Sequence, residues 1–139
     1  MTNHYFVILV LAASLMLNAC GEENPENNPA DADPENLAEH VEELNQNDEY
    51  EEALGLLREA DQDDPQVKEM LETVHLNYAL HLTHVKGMED MREYMPKALQ
   101  HYRRVLEINP DNEQANQEKD QIVQIYEQLG RDVPEGVAE

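Results

Sequence analysis

Apolar residues recur at spacings of three and four from residue 34 onward, and the strict alternation of a half-buried strand is absent. This pattern predicts helices that each bury one face, and therefore an all-α fold. Three start signals divide the region, because in each an Asp or Asn that can cap a helix precedes a Pro at the first helical position. These signals are Asp33-Pro34, Asp64-Pro65 and Asn109-Pro110.

Two stretches of the chain share one spacing of small, large and Pro residues. The first runs through Ala53, Leu57, Ala60 and Pro65, and the second runs through Ala98, Tyr102, Val105 and Pro110. Small residues let two helices approach closely, a large side chain fills the remaining gap, and the Pro starts the next helix. The shared spacing therefore predicts a repeated helical hairpin.

This spacing resembles that of the tetratricopeptide repeat (TPR) over residues 34–130. The segments upstream of the two stretches resemble the first helix of such a repeat, through Leu37, His40, Val41 and Leu44 and through Leu71, Val74, His75 and Tyr78. The resemblance implies antiparallel helical hairpins of TPR type, with about two repeats and a C-terminal capping helix. The two Pro residues that end the matched stretches are 45 residues apart, so the second unit carries an insertion of about 11 residues.

The insertion predicts a long first helix in the second unit, which runs to about Lys86 and breaks at Gly87. A short segment over residues 88–95 then precedes the second helix, which we expect to begin at Pro96. The capping helix is expected to end at Gly130. Its buried stripe is predicted to consist of Ala115, Ile122, Ile125 and Leu129.

The N-terminus contains an apolar run over residues 6–17, which is shorter than the ~20 residues of a membrane span and typical of a secretion signal. It is followed by Leu17, Asn18, Ala19 and Cys20, which resembles a bacterial lipobox. The resemblance implies cleavage before Cys20, lipidation of its thiol and a place in the bacterial cell envelope. Gly21, rather than Asp, follows the Cys, which by the enterobacterial sorting rule indicates the outer membrane. The alternatives are an uncleaved short anchor or an ordinary signal peptide in which Cys20 is incidental.

Residues 20–33 contain five carboxylates and two Pro, and no aliphatic side chain larger than Ala. Such a segment cannot bury apolar surface and is expected to be a disordered tether. We therefore divide the chain into a signal peptide at 1–19, the acidic tether at 20–33, the TPR-like helical domain at 34–130 and a tail at 131–139.

The charge of the chain excludes several classes of partner. With 31 acidic and 9 basic residues, the net charge is −22, which argues against binding to nucleic acid or to an anionic lipid surface. The charge is uneven, since residues 20–64 hold 17 acidic residues and one basic residue, whereas residues 65–139 hold 14 and 8. An acidic chain with only four Lys also fits a proteome adapted to high salt.

Catalytic chemistry finds little support in the sequence. The single Ser, Ser14, lies in the predicted signal peptide, and the single Cys is the predicted lipidation site. No Gly-rich loop or nucleophile motif is present. We therefore predict that the protein is not an enzyme and needs no cofactor.

The candidate partner-binding residues lie on the surface that the TPR resemblance makes concave. The predicted capping helix carries a stripe of amide side chains at spacings of three and four, which can hydrogen-bond an extended or helical segment. An alternative interpretation is a solubilising face. The candidate amide residues are Gln114, Gln117, Gln121 and Gln124, and Gln128 continues the stripe. The candidate apolar anchors are Leu76 and Leu80, and the acidic end of the surface carries Glu42 and Asn45.

A second hypothesis concerns metal binding. Met88, Met91 and Met95 follow His81 and His84 at helical spacing, and such a set can bind copper in an envelope protein. Met residues at this spacing are more often adaptable core, and we assign no metal ligands.

The leading hypothesis is therefore a membrane-anchored adaptor that binds another envelope protein or peptide. Because two repeats form a thin core, we expect either that the insertion adds core or that the protein self-associates.

Overall fold

In the computed structural model, residues 34–85 and 90–135 are described, and this part of the chain is all-helical without a strand. The elements are α1 (Pro34–Gln46), α2 (Tyr50–Glu59), α3 (Pro65–Leu80), a π-helix (His81–Val85), α4 (Met91–Ile108) and α5 (Glu113–Gln128). Helices α1 and α2 form one hairpin, α3 and α4 form a second, and α5 packs against α4. The predicted all-α fold of two hairpins and a capping helix is confirmed.

The start signal at Asp64-Pro65 is confirmed. The Asp64 side chain accepts a hydrogen bond from the Gln66 backbone N–H at 2.7 Å, and Pro65 is the first helical residue. This arrangement satisfies one of the free N–H groups at the helix start, while Pro has no N–H to satisfy. Helix α1 likewise begins at Pro34.

The start signal at Asn109-Pro110 is wrong by three residues. Helix α5 begins at Glu113, and its cap is Asn112, whose side chain accepts from the Ala115 N–H at 2.9 Å. Asn109 instead closes a turn, in which its side-chain oxygen accepts from the Asp111 N–H and its carbonyl accepts from the Asn112 N–H. Since Asn109 and Asn112 are both good cap residues, the spacing could not decide between them.

The predicted start of a helix at Pro96 is also wrong, because α4 begins at Met91 and contains Pro96. A Pro within a helix has no N–H for the carbonyl four residues earlier, here that of Arg92. The added first turns pack Tyr94 and Met95 against the core. This apolar contact offsets the missing hydrogen bond.

The long first helix of the second unit is confirmed as far as Val85, where the described residues stop before the predicted break at Gly87. Its last five residues form a π-helix, which has more residues per turn than an α-helix. The wider turn buries Leu82 in the core. Within it, Thr83 donates to the Ala79 carbonyl at 2.8 Å and contacts the Tyr102 hydroxyl at 3.3 Å.

The core consists of two clusters that divide within α3. The first cluster contains α1, α2 and the early α3 residues Val67 and Val74, and the second contains Ala79 with the π-helix, α4 and α5. Tyr78 packs against both clusters. The small residues Ala53 and Ala98 are fully buried, in agreement with the close helix approach predicted from their spacing.

The capping helix buries Ala115 and Ile122 as predicted, but Leu129 is 58% exposed and the prediction that it belongs to the buried stripe is wrong. The helix ends at Gln128, and Leu129 is its C-cap residue. Gly130 then adopts a positive φ of 63°, as expected for the residue that ends the helix. Beyond it the chain turns back, so that Val133 packs against the second cluster.

We predict that the Asn112→Ala substitution destabilises the protein more than Asp64→Ala. Each substitution removes a cap, at a cost of about 1 kcal/mol. Asn112 also donates its amide to a Glu72 oxygen at 2.8 Å, and losing that charged hydrogen bond adds about 1.5 kcal/mol. The measurement is the free energy of unfolding in urea at neutral pH.

Asn112→Ser is the matched control for this prediction. Serine keeps a capping oxygen but has no amide to donate to Glu72, so its cost is expected to lie between those of the two alanine variants. Equal losses for Asn112→Ala and Asp64→Ala would contradict a role for the contact with Glu72.

Candidate functional site

A groove of about 290 Å³ runs between α1 and α3. Its floor is formed by the apolar side chains of Val41 and Val74, which are 3% and 1% exposed, and Met70 lies beside them. Two predicted partner-binding residues, Glu42 and Asn45, line the groove from α1. The groove is therefore an apolar trough with polar residues along its edge, defined here as the α1–α3 groove.

The rim of the α1–α3 groove is acidic. Glu42 on α1 and Glu69 on α3 are exposed, and of the described residues that line the groove none is basic. Gln46 donates to Glu42 at 2.8 Å, while Asn45 accepts from the Asn77 amide at 3.3 Å and links the two helices. The rim thus favours a neutral or cationic ligand over an anionic one.

The predicted glutamine stripe is exposed along α5. Gln114, Gln117, Gln121 and Gln124 are all accessible, as is Gln128. The start of α5 is held against α3 by Glu72, whose Oε1 accepts from the side-chain amides of Asn109 and Asn112, both at 2.8 Å. This contact, which the sequence analysis missed, fixes the position of the stripe relative to α3.

The two predicted apolar anchors, Leu76 and Leu80, are half-buried on α3. Both pack against the second core cluster. Part of each side chain therefore serves the core, and only the remainder is available to a ligand.

A larger cleft, of about 590 Å³, lies between the α1–α2 turn, the end of α3 and the start of α4. Tyr50 stacks on Tyr78 with 5.1 Å between ring centroids, and their hydroxyls donate to Asp48 at 2.6 Å and to Glu51 at 2.8 Å. Burial, together with the Asp48 carboxylate, raises the pKa of Tyr50 to about 12. The Tyr78 hydroxyl thus joins α3 to α2 through Glu51, whereas the Tyr50 hydroxyl bonds within the first hairpin and its ring contacts α3 by stacking on Tyr78.

A buried histidine pair joins α3 to α4. His75 is 8% exposed, and its Nδ1 lies 2.9 Å from the Nδ1 of His101, so one nitrogen donates and the other accepts. Burial, together with the nearby positive groups of His101, Arg104 and Arg58, lowers the pKa of His75 to about 3. No helical spacing in the sequence indicates this pair, because the two residues are 26 positions apart. Only the contact between α3 and α4 reveals it.

The histidines of the metal hypothesis face different elements. The Nδ1 of His81 lies 3.5 Å from Asp48 in the α1–α2 turn, and the Nε2 of His84 lies 3.5 Å from Glu118 on α5. Because they lie in a π-helix, residues three positions apart do not share a face as they would in an α-helix. Met88 lies outside the described residues. Among the residues that are described, no group of three His, Cys, Asp or Glu side chains could hold a metal ion.

Cys20 and the predicted signal and tether segments lie outside the described residues. Over residues 34–85 and 90–135, no helix combines the length and apolar character needed to span a bilayer. Comparison of the chain with protein-family models, curated proteins and solved structures finds no match.

We predict that the stability of the protein falls between pH 7.5 and pH 5 because of His75. The unfolded chain takes up a proton at His75 near its ordinary pKa of 6.5, whereas in the folded protein this pKa is about 3. The folded state therefore loses up to about 1.4 kcal/mol per pH unit as the pH falls below 6.5. Urea unfolding of the wild type and of His75→Phe at both pH values measures the effect.

The His75→Phe variant is expected to lose about 2 kcal/mol less than the wild type between the two pH values. His40 is exposed on α1, and His40→Gln is the control that removes a histidine outside the buried pair. The prediction fails if His75→Phe and His40→Gln show the same decrease as the wild type.

Proposed function

We propose that this chain is a lipid-anchored adaptor of TPR type, which binds a segment of another envelope protein across the face formed by α1, α3 and α5. The observation that carries the proposal is the α1–α3 groove. It combines a buried apolar floor with exposed carboxylates, and a TPR-type fold is expected to hold a peptide on this side of the molecule.

The groove selects its ligand by size and charge. A side chain of about the size of Leu or Met fits a space of about 290 Å³ and contacts the apolar floor at Val41 and Val74. Glu42 and Glu69 at the rim attract Lys or Arg residues that flank the apolar anchor. The expected ligand is therefore a segment with one apolar anchor and neutral or basic neighbours.

The amide stripe on α5 is the second part of the proposed binding face. Gln117, Gln121 and Gln124 are exposed, and their side chains can both donate and accept hydrogen bonds without a charge. Because Glu72 holds the start of α5 to α3, the stripe keeps a constant position relative to the groove.

Anchoring at Cys20 supports the same function. Lipid attached at that residue would place residues 21–33 between the membrane and α1. An acidic segment of this composition is extended by self-repulsion. It would hold the binding face away from the lipid surface while keeping it within reach of other envelope proteins.

We predict that a photo-crosslinking amino acid at Thr73, an exposed residue of the α1–α3 groove, captures a discrete partner in intact source cells that express the full chain. Mass spectrometry identifies the captured protein. The charge-reversal pair Glu42→Lys and Glu69→Lys is expected to lower the yield of the adduct at least fivefold, because it replaces attraction of a basic segment by repulsion.

Glu39→Lys with Glu59→Lys is the matched control, since both residues are exposed and neither lines the groove. This pair changes the net charge by the same amount and should leave the adduct yield unchanged. If Thr73 gives no discrete adduct, or if both charge-reversal pairs lower the yield equally, the groove is not the binding site.

We predict that Cys20→Ala abolishes lipid labelling and moves the protein from the membrane to the soluble fraction. The wild type should incorporate a labelled lipid precursor, and its mature chain should lack residues 1–19 by mass spectrometry. A Cys20→Ala protein that still sediments with membranes would instead support an uncleaved anchor.

A further inference from the structure

At the end of the molecule where α4 begins and α5 ends, two clefts of about 500 and 400 Å³ adjoin each other. Met91, Met95 and Ile125 are half-buried and line both clefts. Leu129 adds an exposed apolar side chain to the wall of the larger one. We define the end groove as these two clefts together. Its volume is that of a small-molecule site, and its Met side chains can adapt to the shape of a ligand.

The formal charges that the described residues place on the end groove are both positive. Arg92 and Arg131 line the larger cleft, and of the described residues that line either cleft none is a carboxylate. The α1–α3 groove is lined by two carboxylates, and in the cleft beside Tyr50 the carboxylates outnumber the single Lys. In a protein of net charge −22, the end groove therefore stands apart as a surface that favours an anionic group.

The two arginines are held at the ends of two different helices. Arg92 lies in the first turn of α4, where the helix dipole disfavours a positive charge. Arg131 follows α5, and its backbone N–H donates to the Tyr126 carbonyl at 3.0 Å, which fixes the chain where it leaves the helix. Both residues are exposed, and neither forms an ion pair with a described residue. Their guanidinium groups can thus bind an anion through charge-assisted hydrogen bonds.

The smaller cleft favours an alkyl chain over a peptide. Besides the three shared residues, it is lined by Leu82, Thr83, His84 and Tyr94. The Thr83 hydroxyl already donates to the Ala79 carbonyl, and the Nε2 of His84 lies 3.5 Å from Glu118. A peptide backbone in this cleft would bring N–H and C=O groups that need hydrogen-bond partners, whereas an alkyl chain brings none.

We propose that the end groove binds a long-chain carboxylate of the fatty-acid class. Its alkyl chain lies in the smaller cleft, and its carboxylate lies at Arg92 and Arg131 in the larger one. One such molecule covers the apolar walls, including Leu129, and also neutralises the two arginines. The reverse orientation is disfavoured, because Glu118 lies beside the smaller cleft and would repel a carboxylate there. This inference does not rest on the proposed function, which uses other residues.

The test is photolabelling of the purified full-length chain in phosphatidylcholine nanodiscs. The probe is a dodecanoate analogue that carries a diazirine near its methyl end, and mass spectrometry of the peptides locates the adduct. We expect adducts at residues 82–84 or at Met95, which line the smaller cleft, and none at Thr73 in the α1–α3 groove. Unlabelled dodecanoate should suppress these adducts, whereas dodecanol, which lacks the carboxylate, should compete about tenfold less well.

Charge removal provides the matched pair of variants. Arg92→Gln with Arg131→Gln is expected to lower the adduct yield in the end groove about tenfold or more, because hydrogen bonds to a charged group are lost. Arg58→Gln with Lys68→Gln is the control, since it changes the net charge by the same amount and neither residue lines the end groove. All four sites are exposed, so both double variants are expected to fold.

Equal adduct yields from the two double variants would overturn the proposal, as would equal competition by dodecanol and dodecanoate. Adducts spread evenly over the end groove and the α1–α3 groove would also overturn it. Suppression by a soluble peptide of alternating Leu and Glu residues, without suppression by dodecanoate, would contradict a fatty-acid site and assign the end groove to an acidic protein segment instead.

Discussion

Helices α3 and α4 bury against each other along most of their length, and the other elements take their positions from this pair. Tyr102, Leu99 and Val105 of α4 are fully buried in the contact region. Burying side chains of this size contributes about 1.5–3 kcal/mol each. The first hairpin docks on the early half of α3, while the π-helix and α5 complete the late half. Both candidate binding surfaces therefore depend on this one helix pair.

Local signals predicted the elements, and tertiary contacts decided their boundaries. The cap at Asp64 follows from the residue and its neighbouring Pro alone. The starts of α4 and α5 do not follow from local signals. Helix α4 begins before Pro96, because Tyr94 and Met95 are buried when the earlier residues are helical. Helix α5 has two candidate cap residues before it, and the sequence does not decide between them. The exposure of Leu129 also could not be read from the helical period. It depends on the absence of a neighbouring helix among the described elements at that position.

The candidate site was predicted only in part, for a similar reason. Glu42, Asn45 and the exposed glutamines follow from helical periodicity and the resemblance to TPR proteins. Contacts between residues far apart in the chain, such as His75 with His101 and Glu72 with Asn112, require the helices to be packed first. In the π-helix, His81 and His84 point to different sides of the helix than they would in an α-helix. No pattern of residue types in the sequence predicted the π-helix.

Helix α3 and the π-helix together form one continuous rod of 21 residues, from Pro65 to Val85. At a rise of about 1.5 Å per residue, the rod is roughly 30 Å long. Its first turns line the α1–α3 groove, and its last turn, at Leu82, Thr83 and His84, lines a cleft of about 400 Å³ beside α4 and α5. A ligand that tilts or shifts this rod at one end also displaces the wall of the other groove. The two surfaces therefore share this rod as a common wall, and a substitution that shifted it would alter both.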